Sequence, residues 1–143
     1  MASSNEFTLD GFLPYLLHQA AETSGRAFAA MYKEKFDISR TEWRILAHLG
    51  DETPLTAAHI AKRSNTDRTK ISRAVFSLEE RGWLTRAKDR QNRRQELLSL
   101  TPEGEKTYDA LAKEATAHQK ALAQRLGVAN TRDLMKALAT MRA

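Results

Sequence analysis

Residues 55–104 read LTAAHIAKRSNTDRTKISRAVFSLEERGWLTRAKDRQNRRQELLSLTPEG, and three changes of pattern within them decide the fold. Thr56 is placed to cap a short helix through Ser64, with Ile60 and Ala61 turned inward. Asn65 and Thr66 break that helix and offer the cap of a second, from about Asp67 to Arg81, which Gly82 stops. On a helical wheel Ile71, Val75, Leu78 and, less centrally, Ala74 share one side, which is the side that must be buried. Thr69, Ser72, Arg73 and Phe76 fall opposite, flanked by Lys70 and Ser77. After Gly82 the period shifts from helical to alternating: WLTRAK (83–88) and QELLSL (95–100) read as strands around the basic loop DRQNRR (89–94).

Outward from this stretch the chain is helical. Leu9, Leu13, Leu16, Leu17, Ala20, Ala27, Phe28 and Met31 recur at helical spacing, which predicts a long N-terminal helix over about 8–36. Pro14 is acceptable there if the helix starts near Asp10, since first-turn N–H groups lack intrahelical partners. Ser39 and Glu42 make an S-x-x-E capping box, Ile38 and Trp43 occupy staple positions around it, and Gly50 is read as the stop. Thr101-Pro102 opens another helix with Tyr108, Leu111, Ala115, Leu122 and Leu126 on one stripe. Gly127 ends it, and Leu134, Leu138 and Met141 mark a last short helix.

Charge is distributed unevenly. From Lys62 to Arg94 eleven Lys and Arg face four acids, while the remainder of the chain is slightly acidic, so the whole excess of a +5 protein sits in one segment. Such a segment is the electrostatic footprint of a nucleic-acid face; a merely solvated surface would carry interspersed acids. Two short helices joined by a tight polar turn and followed by a basic hairpin form a winged helix-turn-helix, whose second helix enters the major groove of double-stranded DNA. Arg73 can bond guanine bidentately, Thr69 and Ser72 supply hydroxyls, and Phe76 offers an apolar surface to a thymine methyl or, alternatively, packs within the subunit. Arg68, Lys70 and Ser77 complete the helical DNA-binding set, and Arg90, Arg93 and Arg94 at the hairpin tip suit the narrow minor groove.

Other functions lack their parts. With no cysteine, disulfides, thiolate metal sites and thiol redox sensing are excluded. His18, His48, His59 and His118 are scattered without ligand spacing, so no metal or other cofactor is expected. Neither G-x-G-x-x-G, a P-loop nor G-x-S-x-G occurs, leaving an enzyme without a constellation. Apolar runs are too short for a membrane span, and MASSNEF lacks the pattern of a secretory signal, so the expected location is the cytoplasm. A winged-helix module for protein contacts would instead show an even charge distribution and an apolar recognition face.

The segment 55–104 resembles the DNA-binding core of MarR-type regulators: D-R-T-K-I-S-R at 67–73, L-E-E-R-G at 78–82 and L-T-P-E-G at 100–104 align in order and spacing, and FDISRTEWRILAHLG (36–50) matches as well. The resemblance implies a fold that is mainly α with a small β-hairpin wing, as one MarR-type domain over 1–143. Within it, a winged helix-turn-helix lobe spans about 38–100, and dimerisation helices span about 8–36 and 101–143. It further implies a homodimer on a pseudo-palindromic operator, usually a repressor released by a small-molecule effector; an effector-independent DNA-binding protein is the alternative. The family often has D-x-R at the wing tip, where this chain has Asn92-Arg93-Arg94, so that Arg94 corresponds to the minor-groove arginine. Asn92 leaves two outcomes open: a looser wing, or Asp89 taking over the pairing. Ligands of the family bind where the dimer helices meet the lobe, which here points to Tyr15, His18, Arg26, Trp43 and Arg44 and to an aromatic carboxylate or its thioester; the same residues serve equally as capping and core elements.

Overall fold

The computed structural model describes residues 6–142; the first five residues of the MASSNEF stretch lie outside the described residues. After a short 3-10 turn at Leu9–Gly11, the chain forms α1 (Leu13–Phe36), α2 (Arg40–Asp51), β1 (Leu55–Thr56), α3 (Ala57–Ser64), α4 (Arg68–Glu80), β2 (Leu84–Lys88), β3 (Glu96–Leu100), α5 (Pro102–Leu126) and α6 (Val128–Thr140). This is the winged helix-turn-helix fold, mainly α, with α2, α3 and α4 packed behind a small antiparallel sheet.

Local chemistry sets most boundaries. The capping box of α2 is complete: Glu42 N–H donates to Ser39 Oγ at 3.2 Å and Ser39 N–H to Glu42 Oε1 at 3.0 Å. Thr56 caps α3 and Thr101 caps α5 in the same way, each accepting from the backbone N–H three residues on. Gly82 and Gly127 both have positive φ, +78° and +94°, a region closed to most side chains, and they end α4 and α5 as expected.

Three boundaries differ from expectation, for physical reasons. α1 begins at Leu13 rather than near Asp10, because a helix from Asp10 would need the N–H that Pro14 lacks; Phe12 stays extended and Pro14 falls in the first turn. Gly50 does not stop α2, which continues through Asp51. Its missing side chain instead admits the ring of Tyr108 from α5, where a Cβ would collide with three ring atoms. β1, two residues long and too short to carry a period, pairs Leu55 with Leu98 and makes the sheet three-stranded in the order β1-β3-β2.

The core lies almost wholly inside the lobe. Ile45, Leu46 and Leu49 of α2, Ile60 of α3, Ile71, Val75 and Leu78 of α4, and Leu84 and Leu98 of the sheet are buried, joined by Tyr32 of α1 and Leu111 of α5. By contrast α6 contributes no buried residue. Phe7, Leu9, Phe12, Leu13 and Leu16 at one end of the chain, with Val128, Leu134, Met135, Leu138 and Met141 at the other, stay exposed. These exposed apolar side chains are concentrated towards the two ends of the chain.

Close approach at Gly104 yields a test. A Cβ there would run into the Trp83 backbone carbonyl, which cannot rotate away, whereas a Cβ on Gly25 meets no atom of this chain within 4 Å. Gly104→Ala should lower stability by about 1–3 kcal/mol, and Gly25→Ala should leave it equal or raise it by up to about 1 kcal/mol. Urea unfolding of both variants checks this, and equal midpoints would refute the packing account.

Candidate nucleic-acid interface

α4 is seated by its apolar face, which fixes what the other face presents. Ile71 and Leu78 are completely buried and Val75 nearly so. Arg68, Thr69, Lys70, Ser72, Arg73 and Phe76 are all exposed. Phe76 retains 54% of its accessible surface, which removes packing within the subunit as its explanation. Ser77 sits half-buried at the margin, its hydroxyl donating to Glu42 Oε2 at 3.1 Å and so tying α4 to α2. A cleft of about 260 Å³ runs along this margin, lined by Ser39, Thr41, Glu42, Lys70, Arg73, Ala74 and Ser77. Ser39 and Thr41, some thirty residues from Arg73 in sequence, gave no signal of their own beyond the capping box.

The cap of α4 is Asp67 rather than Asn65 or Thr66. Asn65 takes the left-handed conformation that closes α3, and Asp67 Oδ1 accepts from the N–H groups of Thr69 and Lys70 at 2.6 and 3.4 Å. Those bonds, Thr69's first, hold its carboxyl below the ordinary aspartate range.

At the wing, β2 and β3 pair from Leu84↔Leu100 to Lys88↔Glu96, leaving 89–94 as the projecting tip. Asn92 Oδ1 accepts from Arg94 N–H at 3.2 Å, and Asp89 Oδ1 accepts from Gln91 N–H at 3.0 Å. Asn92 therefore orders the tip through backbone hydrogen bonding, and Asp89 caps the turn rather than pairing with an arginine. Arg90, Arg93 and Arg94 are exposed.

The basic segment is not uniformly available. Arg86 pairs with Glu79 at 3.0 Å, and Arg81 donates to the carbonyls of Phe36 and Asp37 at 2.7 and 2.8 Å. Arg63 stands 3.8 Å from Glu52 in an exposed pair that contributes little. Among the described residues, Lys62, Arg68, Lys70, Arg73, Lys88, Arg90, Arg93 and Arg94 have no carboxylate within ion-pair distance. Apart from Lys62 on α3, these unpaired cations of the basic segment lie on α4 and on the wing.

Among the described residues, neither the cleft beside α4 nor the cavity of about 460 Å³ between Gly50 and Tyr108 is lined by the effector candidates. Trp43 is packed edge-on against Phe28 at 5.0 Å and stacked on Tyr32 at 6.4 Å. The Tyr15 hydroxyl accepts from Gln19 at 2.8 Å, and His18, Arg26 and Arg44 lie exposed.

Comparison with known proteins agrees with this geometry. The family model described as MarR family matches residues 36–95. The HTH-type transcriptional regulator YwoH of Bacillus subtilis (strain 168) is 30% identical over 100 residues, covering 68% of this chain and 72% of that protein. This chain belongs to the MarR family. As a MarR-family protein it is a DNA-binding transcriptional regulator, and its relatives are regulators rather than enzymes. The crystal structure of the MarR family regulator SPO1453 from Silicibacter pomeroyi DSS-3 superposes with a TM-score of 0.83 at 26% identity, over 96% of this chain and all of that one. That of NadR in complex with 4-hydroxyphenylacetate gives 0.81 at 25% identity, over 99% and 97%. Among the described residues of this MarR-family chain, no helix is long and apolar enough to cross a membrane.

The Asp67 cap predicts a pH effect. A carboxyl whose pKa is lowered by folding adds stability above its unfolded pKa and loses it as pH falls through the folded value, so the contribution fades below about pH 4. Asp67→Asn keeps an acceptor oxygen, should melt near wild type at pH 7, and should lose less stability between about pH 4 and pH 2. Thermal melts across that range test it; identical acid limbs would contradict the assignment.

Proposed function

We propose that the protein is a homodimeric repressor that binds a pseudo-palindromic operator and is released by a small organic acid. In this reading residues 1–143 form one domain, with about 8–36 and 101–143 joining the subunits and about 38–100 binding DNA. The observation that carries it is the exposed face of α4, where Arg73 and Phe76 stand among hydroxyls and unpaired cations while the opposite face is fully buried. Arg73 bonds a guanine edge, Thr69 and Ser72 meet bases or phosphates, and Phe76 covers a thymine methyl. Arg68, Lys70 and Ser77 contact the flanking backbone. Arg90, Arg93 and Arg94 on the wing enter the adjacent minor groove, with Arg94 deepest.

Dimerisation is supported by the large apolar side chains left exposed at both chain ends. The effector belongs where those helices meet the lobe, near Tyr15, His18, Arg26, Trp43 and Arg44, and an aromatic carboxylate or its thioester fits cations beside aromatic rings. The structural likeness to NadR, solved with 4-hydroxyphenylacetate, favours the same ligand class.

Two variants separate base reading from backbone binding. Arg73→Ala should cost about 1–3 kcal/mol per half-site on a selected operator and far less on a scrambled duplex. Arg94→Ala should weaken both and flatten the plot of log affinity against log salt, by a slope of about 0.9 per lost phosphate contact. Fluorescence titrations at several salt concentrations measure both quantities. If Arg73→Ala weakens both duplexes alike while Arg94→Ala weakens neither, the assignment of recognition helix and wing is wrong.

A further inference from the structure

The end of α1 and the end of α4 are joined by one side chain. A helix leaves its last carbonyls without intrahelical donors, and at the end of α1 the chain turns away through Asp37 in the left-handed conformation, φ 51°. Arg81, at the C-cap of α4 and some forty-five residues later, supplies donors to two carbonyls there: Nη2 donates to Phe36 O at 2.7 Å and Nη1 to Asp37 O at 2.8 Å. Its guanidinium also lies 3.9 Å over the ring of Trp83. A cation is favoured at a helix C-terminus, and a planar fork can serve two carbonyls while stacked on an aromatic face, which an ammonium cannot do.

We propose that Arg81 is a positioning residue that fixes the orientation of α4 relative to α1, and thereby the half-site spacing that the dimer accepts. This rests on the dimeric reading above, in which α1 carries part of the subunit interface and α4 reads the groove. Tyr32 of α1 and Ile38, two residues past its end, are buried in the same core as the inward face of α4, and such apolar burial is non-directional. The Ser77–Glu42 bond orients α4 against α2, not against α1. The Arg81 fork is directional at both carbonyls. Any rotation it permits is doubled across a two-fold axis, and half-site separation is a geometric property of the dimer.

The test uses wild type, Arg81→Lys and Arg81→Gln in the full chain, with sedimentation to establish oligomeric state and melting curves to establish folding. Probes are a palindromic duplex selected by wild type from a random library, one half-site of it, and versions with one or two base pairs inserted or removed between half-sites. Wild type should bind the altered spacings at least about tenfold more weakly than the selected one. Arg81→Gln should bind the isolated half-site within about twofold of wild type, lose about tenfold on the palindrome, and discriminate spacings weakly, as expected for loss of charge-assisted hydrogen bonds. Arg81→Lys, which keeps the charge and safeguards folding, should behave like Arg81→Gln because it lacks the fork. Either variant keeping the wild-type spacing preference would overturn the proposal, as would equal losses on half-site and palindrome accompanied by a lowered melting temperature. A monomeric wild type would overturn the dimeric reading itself, an outcome that sedimentation distinguishes from the others.

Discussion

Ile71, Val75 and Leu78 form a ridge along α4 that is driven into the hydrophobic interior shared with α2, α3 and the sheet. Fully burying an aliphatic side chain of this size is worth about 1.5–3 kcal/mol, so rotating α4 by half a turn would sacrifice several such terms at once. Because side chains on a helix are locked in angle to one another, seating the ridge dictates that Thr69, Ser72, Arg73 and Phe76 face solvent. The proposed recognition surface is in this sense a consequence of the core, and it needs no separate device to hold it outward. What the core does not settle is rotation about finer angles, and there the directional bonds enter: Asp67 on the first turn, Ser77 to Glu42 along the flank, and Arg81 at the end.

The turn that follows α4 connects this helix to everything else. Gly82 adopts φ +78°, its carbonyl accepts from the Thr101 hydroxyl at 2.6 Å, and the Trp83 carbonyl accepts from Thr101 N–H at 3.0 Å while resting against Gly104. Within three residues, Arg81 to Trp83, the chain therefore engages the end of α1, the start of β2 and the start of α5. This turn is thus a packed connection between the terminal helices and α4.

How much of this was legible in the sequence depended on range. Caps at Ser39, Thr56 and Thr101 were readable because donor and acceptor lie three residues apart, and the buried face of α4 was readable because periodicity is local. The stop assigned to Gly50 failed since the reason for that glycine, the Tyr108 ring, lies far along the chain in α5. The same holds for Arg81: counted as part of a basic segment, it is spent on two carbonyls some forty-five residues earlier. β1 escaped notice because two residues have no period. Phe76, which sequence left between groove and interior, is exposed.

The central claim, that the outward face of α4 and the wing tip together form the DNA surface, is most directly tested by amide hydrogen exchange with and without a selected operator duplex. The account predicts slowed exchange concentrated in 67–77 and 89–94, with the exposed apolar ends of the chain unchanged between the free and DNA-bound protein. Protection confined to 102–140, with α4 and the wing exchanging as in the free protein, would contradict it.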